Sequence, residues 1–182
     1  MGQPLAGWLR LTARGAWLIR DAAVEHPALR AHLNRHYFRD EAGRYCVRNG
    51  AQVVYVQLDY APYALHVTAD GALRTHTEQP AGAVQAACLD EAGALTLLTT
   101  LGAGRVDDAS LSWFAERVCT VDGRPADAAA LVDLMTGTAA PAVFLDLPAG
   151  RVPIERCTRA DLPARLGFVR DPGRQYAAAD SR

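Results

Sequence analysis

The side chains in this 182-residue sequence that could do chemistry are its five histidines and one short aromatic corner. His32 and His36 stand four apart on a predicted helix, the spacing at which two imidazoles can reach one metal ion. Leu33 follows His32 where a zinc hydrolase carries its glutamate base, and no third ligand is near in sequence. Structural histidines are therefore expected, and no metal. His66 and His76 bracket Asp70-Gly71. A two-residue loop pairs His66 with Thr75 and puts His76 on the other face, whereas a three-residue loop with a bulge aligns the two histidines. Either one, with Asp59, would serve a small-molecule enzyme as general base. Ser110, Ser112 and Ser181 lie in no nucleophile motif, so no catalytic residue is assigned.

Asp59-Tyr60-Ala61-Pro62-Tyr63 ends an alternating strand in a carboxylate, two phenols and a proline. Such a corner is either aromatic packing or a pocket wall, since tyrosine joins an apolar ring to a hydrogen-bonding tip. Gly102-Ala103-Gly104-Arg105 loosely resembles a phosphate-cradling turn, but Asp107 and Asp108 compete there for the helix amides and for the arginine. Asp59, Tyr60, Tyr63 and Arg105 are the expected ligand-binding residues. A guanidinium near phenol rings suits an anionic, ring-bearing, nucleotide-like molecule.

Mostly strands must position these groups. Apolar residues on both sides of Ala13-Arg14-Gly15 predict a hairpin, and Asn49-Gly50, between Tyr45-Cys46-Val47 and Val53-Val54-Tyr55-Val56, predicts another with a type I′ turn. Pro27 opens a helix whose Leu29, His32, Leu33, His36 and Tyr37 form a stripe facing the core. Gln52 to Asp59 alternates so that Val54, Val56 and Leu58 share a face, and Tyr63 to Val67 with Leu73 to Thr77 makes a further hairpin. Gln79-Pro80-Ala81-Gly82 then breaks the pattern. Asp40-Glu41-Ala42-Gly43 recurs as Asp90-Glu91-Ala92-Gly93 between strands, which predicts a duplicated fold. Asp108 is expected to cap a helix carrying Leu111, Phe114, Ala115 and Val118, and Pro125 to open another ending near Gly137. Val143 to Leu147 and Val152 to Cys157 read as closing strands. The expected fold is α+β, with sheet-rich duplicated halves at residues 1–80 and 81–170 and a frayed tail at 171–182.

Composition excludes several classes. All 19 basic residues are arginine, which removes Schiff-base lysine chemistry and the lysine of a P-loop. A net charge of −1 argues against nucleic-acid binding, and no apolar run approaches the roughly 20 residues of a membrane helix. Cys46, Cys88, Cys119 and Cys157 stand too far apart for a Cys-x-x-Cys pair. Arg10, Arg14 and Arg20 interrupt the apolar N-terminal stretch, so no secretion signal is read. Reduced thiols in a cytoplasmic protein without a cofactor are expected.

Gly15-Ala16-Trp17, Asp40-Glu41-Ala42-Gly43-Arg44-Tyr45 and Ala61-Pro62-Tyr63 occur in the order and spacing of a bacterial family, domain of unknown function 1285. The sequence resembles that family better in its first half than in its second. It departs at Asn49-Gly50, where the family tends to have Thr-Pro, at Gln52 for a glutamate, and at Tyr60 for the corner aspartate. The resemblance implies an α+β fold of two duplicated halves, the second somewhat similar to a pleckstrin-homology-like barrel. It also implies a small nucleotide-like ligand between the halves, and no enzymatic activity. A non-catalytic ligand-sensing or regulatory module is the expected function. The alternatives are an enzyme using His66 or His76 with Asp59, and a structural or protein-interaction module.

Overall fold

A threonine or aspartate followed three residues later by glycine recurs along the chain, and five copies fold alike, whereas the copy at residues 99–102 closes a shorter turn, with Thr99 N–H donating to Gly102 O and Gly102 at φ +148°. The computed structural model describes residues 5–138 and 142–173. In it the backbone N–H of Thr12, Asp40, Thr68, Asp90 and Thr120 donates to the carbonyl four residues on, and the glycine N–H donates back to the first residue's carbonyl. Gly15, Gly43, Gly71, Gly93 and Gly123 all have φ between +79° and +82°, the left-handed position of a three-residue hairpin loop. The first side chain adds its own bond: Asp40 Oδ1 accepts from Arg44 N–H at 2.9 Å and Asp90 Oδ1 from Ala94 N–H at 2.8 Å.

These turns join strands in two units. The first extends to Tyr63 and takes in the chain again from Pro163. It comprises β1 (Leu5–Leu11), β2 (Trp17–Ile19), β3 (Ala22–Ala23), α1 (Pro27–Arg35), β4 (Tyr37–Arg39), β5 (Tyr45–Asn49) and β6 (Gln52–Leu58). Its six strands lie in the order β3-β2-β1-β6-β5-β4, with β1 and β6 parallel and the other neighbours antiparallel. Leu9, Leu11, Val54, Val56 and Leu58 are buried, as strand alternation predicts.

The second unit is β7 (Tyr63–Val67), β8 (Leu73–Thr75), β9 (Val84–Leu89), β10 (Leu95–Thr99), β11 (Ala103–Val106), α2 (Leu111–Ala115), β12 (Val118–Thr120), α3 (Ala128–Thr136), β13 (Val143–Leu147) and β14 (Gly150–Arg156). Its sheet has eight strands in the order β12-β13-β14-β9-β10-β11-β7-β8, with β14 and β9 parallel. A last helix, α4 (Leu162–Leu166), follows.

The units repeat one topology. The series β1-β2-β3-α1-β4-β5-β6 is matched by β9-β10-β11-α2-β12-β13-β14 with the same sheet neighbours. Registers agree as well: Leu11 pairs with Trp17 as Leu89 pairs with Leu95. Asp59 N–H donates to Leu11 O at 3.0 Å as Cys157 N–H donates to Leu89 O at 3.1 Å. The second unit adds the β7–β8 hairpin beside β11 and inserts α3 between β12 and β13. The fold is therefore α+β with duplicated sheet-rich halves. The two Asp-Glu-Ala-Gly strings, however, are not counterparts, because Asp90 corresponds to Thr12 in the β1–β2 turn, whereas Asp40 follows Arg39, the ladder counterpart of Thr120.

Several local expectations are corrected. The division falls after Tyr63 rather than near residue 80, because Gln79–Gly82 lies beyond a hairpin already paired into the second sheet. Asn49 pairs with Gln52, so the β5–β6 turn is centred on Gly50-Ala51, with Gly50 at φ +60°, one residue later than an Asn-Gly turn. Only Leu33 of α1 is buried and Leu29 is 39% exposed. The helix stops at Arg35 and Tyr37 belongs to a strand, so the apparent stripe crosses an element boundary. Asp107, not Asp108, caps the turn before α2 by accepting from Ser110 N–H at 2.9 Å. Asp127 rather than Pro125 begins α3, because Pro125 bridges to Cys119, while the helix does end at Gly137. Of the expected tail, Asp171–Gly173 is held by a side-chain to backbone bond of 3.1 Å; residues 174–182, with Ser181, lie outside the described residues. No helix among the described residues is long and apolar enough to cross a membrane.

Candidate ligand cavity

Asp59 stands at the corner after β6, where its carbonyl accepts from Arg170 at 2.7 Å and its carboxylate lies 3.6 Å from Arg10. Tyr60 and Tyr63 are buried. Tyr63 packs edge-on against Tyr37 and Tyr45, each with ring centroids 5.6 Å away, and burial pushes its phenol up to about 12. Tyr37 meets Trp17 edge-on at 5.2 Å and donates its hydroxyl to Pro62 O at 2.8 Å, so this corner is tied into an aromatic cluster. Trp17 in turn donates its indole N–H to Asn34 of α1 at 2.7 Å.

Arg105 belongs to the second unit. It sits on β11 opposite Thr96, and its guanidinium binds Asp108 at 2.8 Å. The histidines take neither expected register: His66 pairs with Arg74 and Leu65 with Thr75, because the loop after Thr68 spans three residues with Thr68 bonded to Ala72. Burial first, and the neighbouring His66 second, hold His76 down at about 4, a low proton affinity for a general base at neutral pH. The His32 and His36 rings lie 4.5 Å apart, and no group of three or more metal-ligating side chains exists among the described residues. All four cysteines are buried and none forms a disulfide, and desolvation, followed by the adjacent Cys88, raises Cys157 to about 12.

A different set of residues encloses space. Within the second unit a cavity of about 340 Å³ opens between the β7–β8 hairpin, the start of β9, α2 and the β13–β14 hairpin. That volume is at the lower end of the range for small-molecule sites. Val67, Leu73, Val84, Phe114, Leu147 and Val152 supply an apolar lining, and Trp113 adds an indole. Arg151 is the one residue of charged type among those lining it, with Gln85 as a neutral amide. Arg151 is loosely engaged, with Nε 3.6 Å from Asp146 and Nη1 3.3 Å from Val121 O.

Trp113 is well fixed. Arg117 lies over its ring at 3.6 Å, Arg117 Nη1 donates to Trp113 O at 2.7 Å, and Phe114 packs edge-on at 4.9 Å. A more open depression lined by His66, Thr68, Asp107 and Ser110 shares Val67 and Trp113 with the cavity. Its serine is occupied as an acceptor from Val67 N–H at 2.9 Å, and Asp107 by the cap described above. The cavity residues were missed from sequence because they come from four elements distant along the chain. The single signal was Leu147-Pro148-Ala149-Gly150-Arg151, a hairpin turn with a cation just beyond its apolar side.

A family model described as "Protein of unknown function (DUF2946)" matches residues 4–173. No curated protein matches the sequence. Among solved structures, a DUF1285 family protein from Silicibacter pomeroyi DSS-3 is similar at 17% identity and a TM-score of 0.58, covering 84% of this chain and 80% of that one. Another DUF1285 family protein, from Shewanella baltica OS155, matches at 15% identity and a TM-score of 0.40, over 59% of this chain and 89% of that one. The first likeness gives the chain the DUF1285 fold that its motifs led one to expect.

Proposed function

The chain belongs to the DUF2946 family of unknown function, and for this member we propose a non-catalytic module that senses a small, anionic, ring-bearing molecule in the cavity of its second unit. The observation that carries the reading is the half-open, largely apolar cavity with a fixed indole in its wall and Arg151 on the strand that lines it. An indole offers a ring face for stacking, a nearby arginine offers a fork for an acidic group, and the aliphatic lining suits a flat apolar body. Such a site needs no nucleophile. The nucleotide-like class expected from Asp59, Tyr60, Tyr63 and Arg105 is retained as one candidate ligand.

Thermal denaturation of the full chain over a panel of nucleotides and aromatic acids tests this. A ligand that binds only the native state raises its stability by RT ln(1 + [L]/Kd). Trp113→Ala should abolish the shift and Arg105→Ala should leave it intact. Loss of the shift in Arg105→Ala with retention in Trp113→Ala would move the site to Arg105 and reject the cavity.

A further inference from the structure

Resting on the cavity reading above, we infer that Gln85 reads the part of the ligand seated in the cavity, an uncharged ring with an amide-type edge. Such an edge sets a donor beside an acceptor, as in a nucleobase or a lactam, and the ligand's acidic group stays in the water outside. The backbone singles out Gln85. Ala87 pairs with Leu97 and Ala86 with Leu98, but Val84 pairs with Thr99, so Gln85 is the extra residue of a β-bulge. A bulge takes one residue out of the ladder and re-aims its side chain. Gln85 lines the cavity, and the same shift carries Val84, three residues before Ala87, onto Ala87's face.

The first unit shows what the bulge itself requires. Leu11 and Leu89 are counterparts, which puts Gly7 in the place of Gln85. There β1 is irregular against β6 between Leu5 and Leu9, around Gly7 at φ +89°. The irregularity therefore belongs to the fold, and a residue with no side chain satisfies it. The carboxamide is an addition of the second unit, at the one copy of the irregularity that borders the cavity.

Its chemistry sets the class of ligand. Gln85 is exposed, and its carboxamide makes no hydrogen bond to another described residue. With one group that donates and one that accepts, it meets an amide-type edge through two bonds at once. Val67, Leu73, Val84, Phe114 and Val152 add no polar side-chain atom to the wall. Arg151 alternates with Val152 along β14, and its guanidinium goes to Asp146 and Val121 O, neither of which lines the cavity. A charge carried on the ring would thus enter without a counter-ion and lose its hydration. A charge on a tail keeps its water through the half-open mouth.

Calorimetric titration of the full chain with 2-naphthamide, its methyl ketone analogue 2-acetylnaphthalene, 2-naphthoate and N-(2-naphthoyl)glycine tests the inference. 2-Naphthamide should bind at least roughly fivefold more tightly than the ketone, which lacks the donor, and than 2-naphthoate, which brings its charge inside. N-(2-naphthoyl)glycine, with its carboxylate on a tail beyond the amide, should match 2-naphthamide within about threefold. Gln85→Leu should erase the preference for amide over ketone and leave the ketone unchanged. Trp113→Ala should weaken both, with circular dichroism confirming that each variant is folded. If 2-naphthoate binds best, if the amide preference survives in Gln85→Leu, or if the tailed acid is silent, the amide assignment is wrong and the cavity reading stands. If none of the four binds at millimolar concentration, or binding is undiminished in Trp113→Ala, both are overturned.

Discussion

The first and second units share one topology and differ in what fills it. At matching ladder positions Trp17, Tyr37 and Tyr45 of the first stand where the second has Leu95, Val118 and Val143, and all six are buried. The first unit spends these rings on a cluster that pins α1 through Asn34. The second carries smaller chains there, stacks Arg117 over Trp113 at the end of its helix, and gains the β7–β8 hairpin that lines the cavity. The strand order is maintained by backbone pairing and by turns that five Thr/Asp-x-x-Gly strings form. The side chains between them are free to diverge, one copy toward an aromatic cluster and the other toward a half-open cavity.

Truncating the cluster should break this contrast most strongly. Trp17→Ala removes the largest ring and leaves the Asn34 carbonyl without its donor, so a loss of about 3–5 kcal/mol is expected in chemical denaturation. Leu95→Ala at the matching position should cost less, because it deletes fewer buried atoms. Equal losses would mean that the two units do not differ in where their stability resides.

The second unit should also carry the acid sensitivity. His76 titrates at about 4 in the folded chain, against about 6.5 when unfolded. The unfolded chain therefore takes the proton first as pH falls. The stabilising effect of the neutral ring is complete above about pH 6.5 and is lost as pH drops toward 4, with a ceiling of about 3 kcal/mol. His76→Gln should flatten that part of the stability profile, and an unchanged slope would place the sensitivity elsewhere.

What was legible in the sequence follows the range of the forces involved. The turns were readable because Thr68, Asp90 and their equivalents act on atoms four residues away. The duplication was readable only through those turns, and so the wrong pair was aligned: Asp40 and Asp90 share a local code without sharing a place in the repeat. Parallel pairing of β1 with β6 and of β9 with β14 leaves no local mark, since it joins strands separated by four others and by one helix in the first unit or two in the second. Tyr60 and Tyr63 were read as pocket walls because an aromatic corner looks the same whether its rings face a ligand or each other. Trp113 and Arg151 were invisible as a pair for the same reason that parallel strands were.

Replacing the turn glycines compares one local geometry in two surroundings. At Gly71 a Cβ meets nothing within 4 Å, so Gly71→Ala should cost only the left-handed backbone, about 1–2 kcal/mol. At Gly43 the same Cβ would lie 3.0 Å from the backbone oxygen of Gly167, which cannot move as a side-chain tip can, so Gly43→Ala should cost more. Equal losses in the two variants would show that the segment carrying Gly167 yields freely.

The smallest effect is expected where the turn code fails. Thr75 begins a sixth copy of the turn, with its N–H bonded to Gln79 O at 3.0 Å, but the fourth position is Glu78 at φ +64° instead of glycine. Holding a side chain in that region costs about 1–2 kcal/mol, and Glu78→Gly relieves it. Glycine gives back about 0.5–1 kcal/mol through the greater freedom of the unfolded chain. The Arg74 bond to the Glu78 carbonyl, at 2.7 Å, involves only backbone at this position and survives the change. The 3.9 Å contact of the exposed carboxylate with His66 is lost, and a surface pair of that length contributes little. The net is a gain of up to about 1 kcal/mol, read as a rise of roughly 2–4 °C in Tm. A fall in Tm would mean that the Glu78 carboxylate does more for the second unit than the strain it imposes.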